Sequence, residues 1–225
     1  MQLDISKKKM ILLMLAGMLG CVCMGASDWL MIYGDTAFEG SLAWLTLGTA
    51  RIPAWRNGLA MFLAFPAVLL YCFGLFGIRY LLDDEYRRPY CFLTALGLTP
   101  WLCLHIFYTL ILYLFSWLMG QGETQLAYAA GEAIFRHLGW VVLVGQIFMV
   151  LPFGYLFYLV FTHKTPFVGW MAANHPLFLY LVFTAFVGLL PDTPFRLGFI
   201  NGLMSEVMLI FFGVYLYAVI RHQQD

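Results

Sequence analysis

Charge is what this sequence has least of. Only 11% of its residues are Asp, Glu, Lys or Arg, against roughly 25% in an ordinary soluble domain. Apolar residues make up 63% and the mean hydropathy is +0.84, so a water-soluble fold of this composition would expose an aggregating, apolar surface. The 12 basic and 12 acidic residues cancel. No basic stripe is left for nucleic acid, which is not expected as a partner.

Other absences narrow the chemistry. There is no Walker motif, dinucleotide fingerprint, HExxH pair or CxxC, so nucleotide hydrolysis is not expected and no cofactor is expected. Of the five histidines, His105 and His137 fall in the outer half of the predicted topology, whereas His163, His175 and His222 fall near the inner face. That separation disfavours a three-His zinc site, and no metal is expected. The five cysteines, Cys21, Cys23, Cys72, Cys91 and Cys103, lie in or beside apolar runs and read as small buried residues rather than a disulfide framework. Asn-x-Ser/Thr acceptors are missing as well, which with the compact loops favours a bacterial inner membrane over a eukaryotic cell surface.

What is present is a series of long apolar runs. A spanning helix needs about 20 mostly apolar residues to cross roughly 30 Å of hydrocarbon. Six segments meet or approach this: 10–33, 58–82, 90–119, 138–161, 167–190 and 197–220. The expected fold is therefore an all-α integral membrane protein with six transmembrane helices in a single domain, 1–225, with membrane lipid as its surroundings. The fifth run is interrupted by Asn174, His175 and Pro176, so its membrane part is expected to begin near Leu177. Met18, Leu19, Gly20 and Cys21 loosely resemble a lipoprotein cleavage box. The apolar run continues to Tyr33, however, which is long for a removable leader, and the first helix is expected to be retained.

Orientation follows from Lys and Arg near the span ends. With the N-terminus inside, Lys7, Lys8, Lys9, Arg79, Arg87, Arg88, Lys164 and Arg221 face the cytoplasm, and Arg51, Arg56, Arg136 and Arg196 face out. Both termini are expected in the cytoplasm. Trp29, Trp44, Trp55, Trp117 and Trp140 fall near predicted span ends, where amphipathic rings sit at headgroup level.

Three lead-ins look alike. Trp55-Arg56-Asn57-Gly58, Phe135-Arg136-His137-Leu138-Gly139 and Phe195-Arg196-Leu197-Gly198 each place an aromatic, an Arg and then a Gly ahead of an outside-to-inside helix, and Asp35-Thr36 is echoed by Asp192-Thr193. Two readings stand: three repeated helical hairpins, or plain interfacial anchoring. On the first, Arg56, Arg136 and Arg196 ring the outer mouth and suit an anionic group.

Polar groups inside hydrocarbon are costly, so each is a candidate for function with a packing alternative beside it. Asp28 follows Gly17, Cys21 and Gly25 at four-residue spacing, a narrow face that turns it towards other helices; its alternative is an interfacial carboxylate paired with an outer Arg. Glu206 lies near the midplane of the last run, on the face of Gly198 and Gly202. His105 lies halfway along the third run, and as a lone histidine its alternative is a hydrogen-bonded packing residue. Beside a carboxylate it would suit proton transfer. Gln146 and Asn201, with Ser205, place further polarity in the outer halves of helices. Pro66, Pro100 and Pro152 fall inside predicted helices, where each removes a backbone donor.

Arg56 and Gly58 leading to Pro66 and Gly74, together with His105 inside the stretch Leu104 to Tyr108, resemble uncharacterised six-helix bacterial inner-membrane proteins grouped as a domain of unknown function. The resemblance implies the fold and carries no activity. Three functions are compatible with the residues. The first is an outward-facing polar cavity lined by Asp28, His105, Asn201 and Glu206 that binds or transports a small or amphiphilic ligand. The second is an intramembrane enzyme acting on a lipid or isoprenoid, with His105 and Glu206 as acid and base. The third is a scaffold or assembly subunit whose polar groups only join helices.

Overall fold

The computed structural model describes residues 7–33, 52–165 and 169–221. Among these the chain is all-helical, with no strand. Helix α1 runs Lys7–Ile32, α2 Ala54–Gly77, α3 Asp84–Gly120, α4 Thr124–Phe161, α5 Pro176–Gly188 and α6 Pro194–Arg221. Short 3-10 segments follow α2 at Ile78–Leu81 and precede α5 at Gly169–Asn174. Arg51, Asp35, Thr36, Trp44 and His222, and the first residues of the predicted fifth span, lie outside the described residues.

Five of the helices, α1, α2, α3, α4 and α6, are long and apolar enough to cross a membrane. The fifth helix begins at Pro176, beside the expected start near Leu177, but is shorter than a span. Helix α5 has 13 residues, about 20 Å at 1.5 Å per residue, short of roughly 30 Å of hydrocarbon. The cause is local: Pro176 occupies the first turn, where its missing N–H costs nothing, and it biases His175 towards an extended backbone. The preceding 3-10 segment is tucked inward instead, with Met171 in the core and the Asn174 amide donating to the Phe211 carbonyl of α6 at 3.2 Å.

Two helices are longer than their apolar runs. Helix α3 begins within the charged turn, with Asp84 and Glu85 in its first turn where they complement the helix dipole. Helix α4 begins at Thr124 and absorbs the polar stretch through His137. That stretch holds four alanines and no proline, which favour a helix, so polarity there ends the apolar run without ending the helix.

Packing divides the bundle into two groups. Helix α1 lies between α2 and α6, α3 pairs with α4, and the two groups meet more lightly through α2 and α3. Small residues set the close crossings. A Cβ on Gly74 of α2 would stand 2.6 Å from the Gly17 Cα of α1, and one on Gly20 would stand 2.8 Å from the Tyr71 backbone nitrogen. Phe212 of α6 fills the seam between Gly17 and Gly74. Such backbone approach is the usual device where apolar helices associate without water to drive them together. On the other side Gly145 receives Leu104, and Gly97 lies against Pro152 and the Phe148 carbonyl.

Most of the described basic residues collect at one end, Arg56, Arg136 and Arg196 excepted. Lys7 donates to the Ile220 carbonyl at the end of α6 (2.9 Å), Lys9 and Arg79 line one groove, Arg87 donates to the Arg79 carbonyl (3.1 Å), and the Lys164 ammonium lies 5.6 Å from the Tyr86 ring centroid. A second apolar cluster, with Ile32, Ala60, Leu118 and Ala127, ties together the opposite ends of α1 to α4.

Candidate functional site

The seam of α1, α2 and α6 holds a polar cluster in an otherwise apolar bundle. Helix α1 supplies Asp28 and Trp29, and α6 supplies Ser205 and Glu206. The indole N–H of Trp29 donates to Glu206 Oε1 at 3.0 Å, and the Ser205 hydroxyl makes a long contact of 3.4 Å to Asp28 Oδ2. The two carboxylates lie near enough to interact electrostatically. Tyr71 of α2 is buried beneath them, with Cys21, Ser205 and Asp28 as its polar neighbours.

Local sequence explains why the indole fits. Gly198 and Gly202 leave a trough on α6: a Cβ on Gly198 would stand 2.9 Å from Trp29 Cε3, and one on Gly202 would stand 2.8 Å from Trp29 Nε1 and 2.9 Å from Glu206 Oε1. Tyr33 stacks on the same indole at 5.7 Å and Phe195 meets it edge-on at 5.5 Å. Immediately before Asp28, Ser27 donates to the Ala60 carbonyl of α2 at 2.9 Å, fixing the rotation of α1.

The cluster does not satisfy itself. Glu206 Oε2 is buried without a hydrogen-bond partner, while the buried Tyr71 hydroxyl lies beside Cys21 and Ser205, which can pair with it. Buried polar atoms are paired in the great majority of cases, and an orphan is costly. An orphaned carboxylate oxygen beside a second carboxyl leaves an acceptor open to a donor.

The remaining candidates are dispersed. Asn201, on α6 one turn before Ser205, turns its amide back to the Leu197 carbonyl at 2.7 Å. His105 sits on α3, outside the α1–α2–α6 seam, with a buried Nε2 that has no partner and no hydrogen bond to either carboxylate. Gln146 and Arg136 are exposed on α4, which packs mainly on α3. The three similar lead-ins place their arginines in three unlike settings. Arg56 donates to the Leu30 carbonyl at 2.9 Å and towards the Trp29 carbonyl at 3.4 Å, capping the end of α1 directly above the site. Arg196 pairs with Asp192 one turn back, while its backbone N–H donates to the Thr193 hydroxyl oxygen at 3.3 Å. Arg136 lies well inside α4 rather than at its start. Among the described residues no three His, Cys, Asp or Glu side chains converge as metal ligands.

Trp29 and Tyr71 are the site residues that the sequence did not single out. Trp29 reads as a headgroup anchor by position, yet its ring turns inward. The available signal was the Gly198, Gly202, Glu206 spacing, which leaves a trough that a large ring on a neighbouring helix has to fill. Nothing distinguishes Tyr71 in one dimension.

An all-helical bundle of long apolar helices with a carboxylate cluster at one seam defines the class. Within it, the chain belongs to a family of unknown function, DUF6796, which matches residues 4–222. No curated protein and no solved structure matches the chain.

Proposed function

We propose that this is an integral membrane protein that binds or transports a small amphiphilic ligand carrying a cationic or hydrogen-bond-donating head, with Asp28, Ser205 and Glu206 receiving the head and Trp29 and Tyr71 walling it. The observation that carries this is the orphaned Glu206 Oε2 beside a second carboxyl, that of Asp28. Two acids in an apolar seam with an open acceptor suit a donor or a positive charge, which would offset their desolvation.

The membrane setting rests on the five long apolar helices, because only helices or closed barrels satisfy the backbone in lipid. The basic end holding Lys7, Lys9, Arg79, Arg87, Lys164 and Arg221 is the cytoplasmic end by the positive-inside rule. Both termini then lie in the cytoplasm, and the bacterial inner membrane fits the short loops. The site lies nearer the opposite, outer end, towards which Asp28 and Arg56 are placed.

The test is thermal unfolding of the purified full chain in detergent with n-hexylamine and with n-hexanoate, which share a chain length and differ in head charge. A rise in Tm with the amine alone, lost in Glu206→Gln, is expected. Equal responses to both, or an amine response that survives the substitution, would sink the reading. One alternative has its own observation: the Trp29 indole seated on Gly198 and Gly202 clamps α1 to α6, and a purely structural cluster would show no response to either probe.

A further inference from the structure

A groove of about 370 Å³ runs between α1 and α2 at the basic end, far from the carboxylate cluster. Its floor is the close contact of the two helices, where a Cβ on Gly77 would stand 2.8 Å from the Leu13 Cβ. Leu12 and Ala16 form one wall and Phe73 and Phe76 the other, with Leu12 and Phe73 each more than half exposed. Lys9, Arg79 and Tyr80 close the end that faces the basic rim.

Among the described residues the two cations in this groove have no acidic partner. The ion pairs formed among the described residues join Arg87 to Asp84 and Arg196 to Asp192, and no carboxylate lines the groove. Arg79 is also held in place: its guanidinium lies 4.6 Å from the Tyr80 ring centroid and donates to the Tyr80 hydroxyl, while Arg87 anchors the carbonyl of the same residue. A fixed guanidinium beside a free ammonium, above two apolar walls, is complementary to a phosphate head on an acyl chain. A zwitterionic head would bring its own cation into the same space and gain less.

We infer that this groove is a binding site for an anionic phospholipid of the cytoplasmic leaflet, its phosphate between Lys9 and Arg79 and its upper acyl segment against Leu12, Ala16, Phe73 and Phe76. The volume holds the head and the first methylenes, in the range of small-molecule sites of roughly 300 to 1,000 Å³. The inference rests on the membrane setting but not on the carboxylate site. Its occupant meets the opposite sign of charge from the ligand of that site.

The experiment is native mass spectrometry of the full chain in detergent with phosphatidylglycerol or phosphatidylcholine of matched acyl chains. Phosphatidylglycerol is expected to be retained preferentially, with about a fivefold loss in Lys9→Gln and again in Arg79→Gln, as expected for one basic residue each near an anionic head. Lys8→Gln, a neighbouring exposed lysine outside the groove, is expected to bind as the parent does. Equal retention of both lipids, or a preference that survives both groove substitutions, overturns the site. Displacement of the lipid by millimolar glycerol 3-phosphate also overturns it, by making the site one for soluble phosphate. Because wild-type preference needs no variant, and because hexylamine binding reads only the carboxylate cluster, failure of this site and failure of the proposed function are separable.

Discussion

The Trp29 indole donates to Glu206 across 177 positions of sequence, at 3.0 Å, through a trough made by Gly198 and Gly202. That contact joins the first described helix to the last and sets the shape of the candidate site.

Gly202→Ala probes the trough directly. The new Cβ would meet Trp29 Nε1 at 2.8 Å and Glu206 Oε1 at 2.9 Å, so the ring has to move and the hydrogen bond is lost. A loss of about 1 to 3 kcal/mol is expected, as for overpacking of a fitted interior. Unfolding in mixed detergent measures it, and an unchanged midpoint would show that the indole is not seated where it is described.

Glycine position decides the sign elsewhere. At Gly74 a Cβ would meet backbone, the Gly17 Cα, at 2.6 Å, and backbone yields less readily than a ring. Gly74→Ala is expected to cost more than Gly202→Ala in the same assay. Gly154, two turns before the end of α4, has open space around it, so Gly154→Ala is expected to gain roughly 0.4 to 1 kcal/mol through the unfolded chain. Matching signs for the two substitutions would contradict the packing.

Arg56 is the C-terminal cap of α1. Its bonds to the Leu30 and Trp29 carbonyls occupy acceptors at the negative end of a helix, where a cation is favoured. Arg56→Gln is expected to cost about 1 to 2 kcal/mol and to speed hydrogen exchange in the last turn of α1, including the Tyr33 amide that bonds the Trp29 carbonyl. Arg136→Gln, on an exposed site, is expected to leave exchange there unchanged. Equal effects from the two would remove the capping role.

His175, ahead of α5, sits edge-on to Phe153 and Phe157 at 6.4 and 5.4 Å. Burial lowers its pKa from 6.5, partly offset by the Phe153 backbone. With a folded value below the unfolded one, the unfolded chain binds more protons between the two, so stability rises with pH there. The contribution is complete above about 6.5 and is lost as pH falls through the lowered folded value. His175→Gln is expected to flatten that part of the stability curve, and an identical curve in the variant would contradict the assignment.

The long apolar helices were legible because their length and continuity are properties of single segments. The Asn174, His175, Pro176 interruption was legible too, and with it a helix beginning near Leu177, as α5 does at Pro176; where the preceding segment packs was not. Whether a break shortens a span or merely kinks it depends on what Asn174 can reach, and its partner, the Phe211 carbonyl, is 37 positions away. Helix α4 outran its apolar run because helix propensity at Thr124 to His137 is independent of hydropathy. Asp28 and Glu206 stood out by cost alone. Their shared setting did not, since it depends on α1 lying between α2 and α6, an arrangement that no local pattern encodes. Arg56, Arg136 and Arg196 show the converse: like local patterns, three unlike environments.

The most direct measurement compares Glu206→Gln with the parent chain for both thermodynamic stability and the response to n-hexylamine. The amide keeps an acceptor for the Trp29 indole and removes an ionisable carboxyl from beside Asp28. A site kept for binding at the expense of stability is expected to give a variant as stable as the parent or more so, with the amine response abolished. A variant that loses more than about 2 kcal/mol, as when a buried network is broken, from a parent that shows no amine response, would make the cluster a helix clamp and contradict the account.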